Sequence, residues 1–380
     1  MSNTLTGLLP VIYEALDVIA QEATGFLGNI NQDASASQAA IGQVVRSPIT
    51  RPATLADNTP GVTAPNTGDQ TVDYVEIAIT KSKSAPVRWN GEEQKAVGGL
   101  LGGIMKDQFA QAFRTLRNAV EADLAAEAIV GASEAYGTAG TTPFGTAGDL
   151  SDFAQLQKLL DDSGAPDDTD RNLIVGTSEL ANLRGKQSVL FKANEAGTDD
   201  MLRRGVVGNV EGLNVRKSIQ RVKHTAGTGD NYVLNGGQAV GDSAIAVKNG
   251  TGTILAGDIV TFGGDTKKYV ANLALAAGSF GVNKPGVDQV LADLDTVTVG
   301  ASYAGNIAFH KSSLVLATRT PLMPAGGDAA VDVVEVADPA GTGLVFQIAM
   351  YKQYRQVHIE VGCAWGVKAI KPEFIKVLLG

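Results

Sequence analysis

EEQKAVGGLLGGIMKDQFAQAFRTLRNAVEADLAAEAIVGASE, residues 92–134, decides how the chain is read. Apolar side chains recur at Val97, Leu100, Leu101, Ile104, Met105, Phe109, Phe113, Leu116, Val120, Leu124, Ile129 and Val130. Steps of three and four residues keep such a stripe on one face of an α-helix. The spacing predicts a helix from Glu92 to about Glu134, roughly eleven turns and about 60 Å long if unbroken. Gly98, Gly99, Gly102 and Gly103 lie in its first part. Each costs about 1 kcal/mol against alanine in a helix interior, so they delay the start or permit a bend. A compact domain has no need of a strut that long, whereas an extended, flat subunit does.

Upstream, VDYVEIAIT (72–80) alternates, with Asp73, Val75, Ile77 and Ile79 forming the more apolar side. APVRWN (85–90) follows a polar KSKS segment that reads as a turn, so the two runs are expected to form a hairpin. Residues 46–72 hold Pro48, Pro52, Pro60 and Pro65 and few large aliphatics. Proline removes backbone donors, so no central strand or helix is expected there. The stretch is either a floppy linker or an extended loop ordered by an adjacent subunit. Residues 5–22 place Leu9, Ile12, Tyr13, Leu16 and Ile19 at helical spacing. They form an ordinary surface helix or an arm that docks on a neighbour.

Downstream, 134–149 is a Gly/Thr-rich joint. LSDFAQLQKLLDDSG (150–164) reads as an amphipathic helix with Ser151 or Asp149 as cap. NLIVG (172–176) reads as a short buried strand, and TSELANLRG (177–185) as a helix capped by Thr177 or Ser178 and ended by Gly185. From about 225 to 302 the pattern is short strands between turns, with Asn249-Gly250 and Gly263-Gly264 as turn dipeptides. That segment is expected to be an inserted β-barrel or sandwich. Residues 303–380 are mostly strand, with a turn at Pro339 to Gly343, and a strand pair there is expected to close on 72–90 and the long helix.

Composition narrows the function. The 380 residues are 44% hydrophobic and 19% charged, enough apolar content for a sizeable core. Glycine accounts for 45 residues, about 12% against a usual 7%, which suits many turns and thin layers. The net charge of −9 argues against a dedicated nucleic-acid reader. No run of about 18 apolar residues spans a membrane, and the N-terminus lacks a basic secretory leader. A single cysteine, Cys363, excludes a disulfide framework. A reducing cytoplasm is the expected place of synthesis.

No motif reads as an active site. Asp161, Asp162, Asp167, Asp168 and Asp170 lack the spacing of a calcium loop and are read as a solvated acidic loop. Gly102-Gly103 to Lys106 is not a phosphate-binding loop, and no nucleophile elbow occurs. His224, His310 and His358 lie far apart in sequence with no ligand-spaced pair; His310 and His358, in strand-like segments, are expected to be packed or surface histidines. Cys363 is expected to be a buried, inert thiol. Lys81 and Lys83 have no acid partner legible in sequence for an isopeptide bond. The expected catalytic, cofactor-binding and metal sites are therefore none.

Several stretches, in the same order, resemble one family. TLTGLLPVIYEALDVIAQEATGF (4–26), VRSPIT (45–50) and the proline-rich run resemble the start of coat proteins of podophages of the Salmonella P-twenty-two type. NIAFHKSSLVLATRTPLMP (306–324) is similar to the family's segment after its insertion, and 351–373 to its closing strands. GVVGNVEGLNVRKS (205–218), with Gly205, Gly208, Gly212, Val215 and Ser218, is similar to a turn-and-strand of many tailed-phage major capsid proteins. The resemblance implies an α+β chain of the Hong Kong 97 capsid fold. It implies an N-terminal arm over 1–35, an E-loop (about 46–75) with peripheral-domain strands over 36–91, and a spine helix over 92–134. An axial domain would take 135–224, an inserted β domain 225–305, the axial return 306–345, and peripheral-domain strands 346–380. The insertion is shorter and differently worded than in the family's best-known members.

The function so implied is a structural capsid subunit, not an enzyme, forming hexamers and pentamers of an icosahedral shell around double-stranded DNA. Implied partners are copies of itself, a scaffolding protein, a portal and a decoration protein. Contact with packaged DNA would be weak and non-specific, and no cofactor is implied. Assembly would occur in the host cytoplasm and the product would be the virion capsid. Two other classes stay open: a β-rich virion adhesin or tail component, and an enzyme with a β accessory module.

Overall fold

The structure is a computed structural model that describes residues 24–49, 53, 55, 57–58, 60–61, 68, 72–187, 205, 207–338 and 342–380. The expected helix over 5–22, most of the proline-rich stretch, and Pro339 and Gly341 lie outside the described residues.

The long apolar stripe forms two helices, α1 (Gly91–Val97) and α2 (Leu101–Val130). Asn90 caps α1: its side chain accepts from the Glu93 amide, and the Glu93 carboxylate accepts from the Asn90 amide. Gly98 then adopts φ +61°, a left-handed conformation that a residue with a Cβ resists. A 3₁₀ turn over Gly98–Leu100 precedes α2. The 30 residues of α2 give a strut of about 45 Å, shorter than the unbroken rod expected. It stops at Gly131, where a Cβ would come within 2.4 Å of the Ala369 Cβ. Glu134 already belongs to a strand.

Before the helices lie β1 (Asn31–Ala39), β2 (Val44–Ile49), β3 (Asp73–Ala78) and β4 (Lys81–Asn90). The expected hairpin of 72–80 with 85–90 does not form. β3 instead pairs antiparallel with β2, from Val44 opposite Ala78 to Ile49 opposite Asp73. The KSKS segment is the start of β4 rather than a turn. Ile79 and Thr80, between the two strands, are poor at the left-handed conformations of a tight hairpin turn. Their amides instead donate to Gln43 O and Trp365 O, so the chain runs on extended from the ribbon into the next sheet. Pro48 lies in β2, which is not a central strand: a two-stranded ribbon tolerates proline because each strand keeps an edge without a partner in the ribbon.

After α2 come β5 (Glu134–Gly137), α3 (Ser151–Asp162), β6 (Arg171–Val175), α4 (Thr177–Lys186), β7 (Asn209–Val210), β8 (Leu213–Lys217) and β9 (Lys223–His224). The two helices and the buried strand stand where the sequence put them, but their caps differ. Leu150 and Gly176 occupy the cap positions with no side-chain bond. The Asp149 carboxylate accepts from the Ser151 amide within the turn before α3. The chain turns from β6 directly into α4 at Gly176, so Thr177 is already helical, and Gly185 lies one residue inside the end.

Next are β10 (Tyr232–Leu234), β11 (Ala244–Lys248), β12 (Ile259–Phe262), β13 (Lys268–Ala276), β14 (Ser279–Val282) and β15 (Thr296–Val299). They pair antiparallel in the order β12-β15-β10-β11-β14-β13, and β13 pairs back to β12, closing a six-stranded barrel. Leu234, Ile245, Ile254, Val260, Tyr269, Phe280 and Val297 fill its own core. The chain ends with β16 (Tyr303–His310), β17 (Leu314–Pro321), β18 (Ala330–Ala337), β19 (Val345–Gln353), β20 (Gln356–Ala369) and β21 (Ile375–Leu379).

One sheet runs β7-β8-β6-β16-β21-β5 and continues into the barrel through β13. Its side chains alternate between two cores, as strand geometry requires. Ile174, Ile307, Phe309, Ile375 and Val377 share the core of α2 residues Leu116, Val120 and Leu124. Leu173, Val175, Ala308 and Leu378 share that of Phe153, Leu156 and Leu160 of α3 and Leu180 and Leu183 of α4. A second sheet, β1-β17-β20-β19-β18 with β4 on the free side of β20, covers α2 with Leu314, Leu316, Phe346, Val361 and Trp365. Pairing runs across residue 345: β17 and β18 join β20 and β19, while β21 joins the other sheet.

Candidate functional site

Three acids on α2 tie the strut to the rest of the chain. Glu121 is fully buried. Its carboxylate accepts from the amides of Gly25, Phe26 (2.9 Å) and Leu27 (3.1 Å) and from Ser218 Oγ (2.9 Å). It thereby fixes the segment entering β1 and the residue following β8. Asp123 pairs with Lys81 and accepts from Trp365 Nε1 at 2.7 Å, and Glu127 accepts from the Ala369 amide at 3.0 Å. Four residues apart, these two share a helix face, and that face meets β20. The sequence reading missed all three; the signal was an acid set beside the apolar stripe, Glu121 directly after Val120.

A second polar cluster joins the barrel to the body. Lys376 is fully buried, with Nζ 2.6 Å from Glu134 Oε2, 2.6 Å from Ser163 Oγ and 3.0 Å from Ser133 Oγ. Burial pushes the Lys376 ammonium below its ordinary pKa, against the pull of the Glu134 carboxylate. Lys267 of the barrel reaches the other oxygen of Glu134 at 3.1 Å and also pairs with Asp288. Asn283 donates to Val130 O and Ala132 O at 2.6 and 2.7 Å. At the neck, where β9 pairs with β16, His224 Nε2 lies 2.7 Å from Asp258 Oδ1. Asp258 also accepts from the amides of Leu255 and Gly227, and the Tyr303 hydroxyl donates to Gly257 O at 2.7 Å.

Of the residues singled out in the sequence, the structure brings Asp168 and His310 together. Arg171, almost fully buried, donates to Asp161 Oδ1 (2.7 Å), Gln157 Oε1 (2.6 Å), Pro166 O (2.8 Å) and Ala165 O (2.8 Å). Asp161 of the acidic loop is thus its counter-ion, while Asp161 and Asp167 remain largely exposed. Asp168 meets His310 Nε2 at 3.1 Å. The Asp170 amide and then His310 hold its carboxyl below the usual carboxylate range. His358 lies 3.0 Å from Glu360 Oε1. Among the described residues no group of three or more His, Cys, Asp or Glu is placed to hold a metal ion. Cys363 is buried, and burial pushes its thiol up to about 12, which suppresses the reactive thiolate.

An open cleft of about 700 Å³ lies beside the Gly/Thr-rich joint, lined by Thr141, Phe144, Asn182 and Lys186 among others. Its carboxylates Asp149 and Asp152 accept from the amides of Ser151 and Phe144 and so hold the joint. Among the described lining residues these two carboxylates are thus engaged with the backbone of the joint.

The β2–β3 ribbon exposes Val44 and Tyr74, with Arg46 stacked 4.5 Å over the Tyr74 ring and paired with Glu76. β18, the last strand of its sheet, exposes Val331, Val333 and Val334. Among the described residues, both the ribbon and β18 thus combine exposed apolar side chains with an unpaired strand edge.

No protein-family model matches the chain, and no curated protein matches it. Solved structures do. The capsid structure of the cyanophage P-SCSP1u is similar with a TM-score of 0.55 at 12% identity, over 100% of this chain and 95% of that one. A structure from Mycobacterium phage Che8 gives 0.53 at 15% identity, over 97% and 96%. The asymmetric unit of the bacteriophage PhiM1 mature capsid gives 0.51 at 12% identity, over 98% and 91%. At such identities the likeness is one of fold, and the mixed helix-and-strand architecture of this chain is, nearly end to end, that of phage capsid structures.

Proposed function

We propose that the chain is the major capsid protein of a tailed bacteriophage, a structural subunit without catalytic function. It assembles with its own copies as hexamers and pentamers into an icosahedral shell around double-stranded DNA. The observation that carries this reading is the match in fold to the cyanophage capsid over 100% of this chain and 95% of that one. The apolar ribbon and the open β18 edge support it, because a shell subunit completes its burial on neighbours. Many modest contacts then sum through multivalency, and head-to-tail contacts close rings.

In the finer reading the chain is of the Salmonella P-twenty-two type with the Hong Kong 97 domain plan, supported by the stretches at 4–26, 306–324 and 351–373. Residues 1–35 are the arm, 36–91 the E-loop and peripheral strands, and 92–134 the spine. Residues 135–224 and 306–345 form the axial domain, 225–305 the insertion, and 346–380 the closing peripheral strands. A scaffolding protein, a portal and a decoration protein are the partners, and the shell is built in the host cytoplasm. The net charge of −9 keeps contact with packaged DNA weak.

Size-exclusion chromatography with negative-stain microscopy, on the chain alone and with its scaffolding protein, tests the proposal. Rings of capsomer size or closed shells are expected. A compact monomer under both conditions overturns it.

A further inference from the structure

The 3₁₀ turn Lys311–Ser313, which joins β16 to β17, brings three side chains into one line. His310 Nδ1 lies 2.8 Å from Ser312 Oγ and 3.2 Å from the Ser312 amide nitrogen. His310 Nε2 lies 3.1 and 3.2 Å from the two carboxylate oxygens of Asp168. The amide decides which ring nitrogen carries the proton. A backbone N–H can only donate, so Nδ1 accepts. In the neutral ring the proton then sits on Nε2, where the Asp168 carboxylate accepts it. Nδ1 therefore also accepts from the Ser312 hydroxyl. A histidine that merely caps a turn needs the amide contact alone. Here the same nitrogen reaches a hydroxyl and a carboxylate holds the other one, the order of acid, base and nucleophile that activates a serine.

The parts are fixed from several sides. His310 ends β16 opposite Arg171 of β6, is buried, and meets the Phe374 ring edge-on at 6.3 Å. Ser313 Oγ donates to His310 O at 2.7 Å. The Lys311 amide donates to Asp170 O at 3.0 Å, which ties the turn to the acidic loop. The Asp170 amide donates to Asp168 Oδ1 at 2.9 Å and orients that carboxylate. Ser312 is only partly buried, which leaves the turn open to solutes. A nucleophile and a base held by their own packing need no rearrangement before attack.

We propose that Ser312 is an acylation site: His310 takes the hydroxyl proton as general base, Asp168 positions the imidazole, and Oγ receives an acyl group from an activated ester or thioester. In this step the bond from Oγ to the carbonyl carbon forms, and the bond from that carbon to the leaving oxygen or sulfur breaks. The proton passes from Oγ to His310 Nδ1 and from there to the departing alcohol or thiol. One acyl group stays on each chain as an ester, a modification without turnover. The inference stands apart from the capsid reading, since the turn is complete within one chain.

Treatment of the intact chain with p-nitrophenyl acetate, then acid quench and peptide mass mapping, tests it. Lysine acetylation by the same reagent is the internal reference. General-base assistance is worth about 10²–10⁴-fold where an enzyme holds its substrate. A donor arriving from solution is not held, so Ser312 is expected to be acetylated at least about tenfold faster than the exposed Ser82 and Ser84. H310N keeps an oxygen that can accept from the Ser312 amide but supplies no base. It is expected to lose most of that advantage while lysine acetylation stays within about twofold of wild type. D168N is expected to slow Ser312 by only about threefold, because the Asp168 side chain is 48% exposed. D168E restores the charge and is expected to recover to within about twofold of wild type. Melting curves matching the wild type are the control for folding. Ser312 no faster than Ser82 and Ser84 in the wild type overturns the proposal whatever the variants do, and so does a folded H310N that is acetylated like the wild type. A D168N that matches the wild type, or a folded D168E that fails to recover, overturns the role given to Asp168.

Discussion

The barrel closes its six strands around Leu234, Ile245, Val260 and Phe280, none more than 2% exposed, whereas the β2–β3 ribbon buries only Ile77 and leaves Val44 46% and Tyr74 53% exposed. Both regions are antiparallel, and in both the burial of successive side chains alternates along a strand, as in β2 and β11. They differ in strand number and closure. Six strands joined edge to edge have an inside, while two strands have only faces and need another surface to cover them. The same sequence period therefore yields a self-sufficient unit in one place and an unfinished one in the other.

Three substitutions probe that contrast. Leu234→Ala empties part of the barrel core and is expected to cost about 3 kcal/mol, read as a lower midpoint in denaturant. A loss well under 1 kcal/mol would mean that the barrel core does not hold the unit together. Lys376→Met removes one of the two lysines on Glu134 at the joint between barrel and body. Breaking a buried pair is costly, but Lys267 remains, so about 2 kcal/mol is expected by thermal unfolding. An unchanged melt would show that strand pairing alone fixes the barrel. Tyr74→Ala in the ribbon is expected to move the stability of the free subunit by less than about 0.5 kcal/mol, the range of a surface change. A clear loss in the monomer would mean that the ribbon is covered by its own chain.

Legibility in the sequence followed how local the signal was. The α2 stripe, α3, β6, α4 and the short strands of 225–302 were readable because period and turn residues lie within one window. The choice between barrel and sandwich was not, because β12 meets β13 and β15 through pairings that periodicity does not encode. The 72–90 hairpin failed for a related reason: β3 and β4 each prefer a distant partner, β2 and β20, over the other. For the candidate surfaces, the inert character expected of Cys363 agrees with its buried, high-pKa thiol. The Glu121 clamp and the Lys376–Glu134 pair were invisible because their partners lie about a hundred or more residues away.

The neck of the barrel has a consequence for how such a chain changes over time. His224, on the way in, sits opposite Tyr303, on the way out. Paired strands hold these two residues about 5 Å apart, so the chain enters and leaves the module side by side. A cassette with adjacent ends can be trimmed, enlarged or traded for another fold while β9 and β16 stay as they are. The surrounding subunit would register the exchange where β13 pairs with β5, at Glu134, in the core that Ile259 and Val270 share with α2, and at the carbonyls that Asn283 now satisfies.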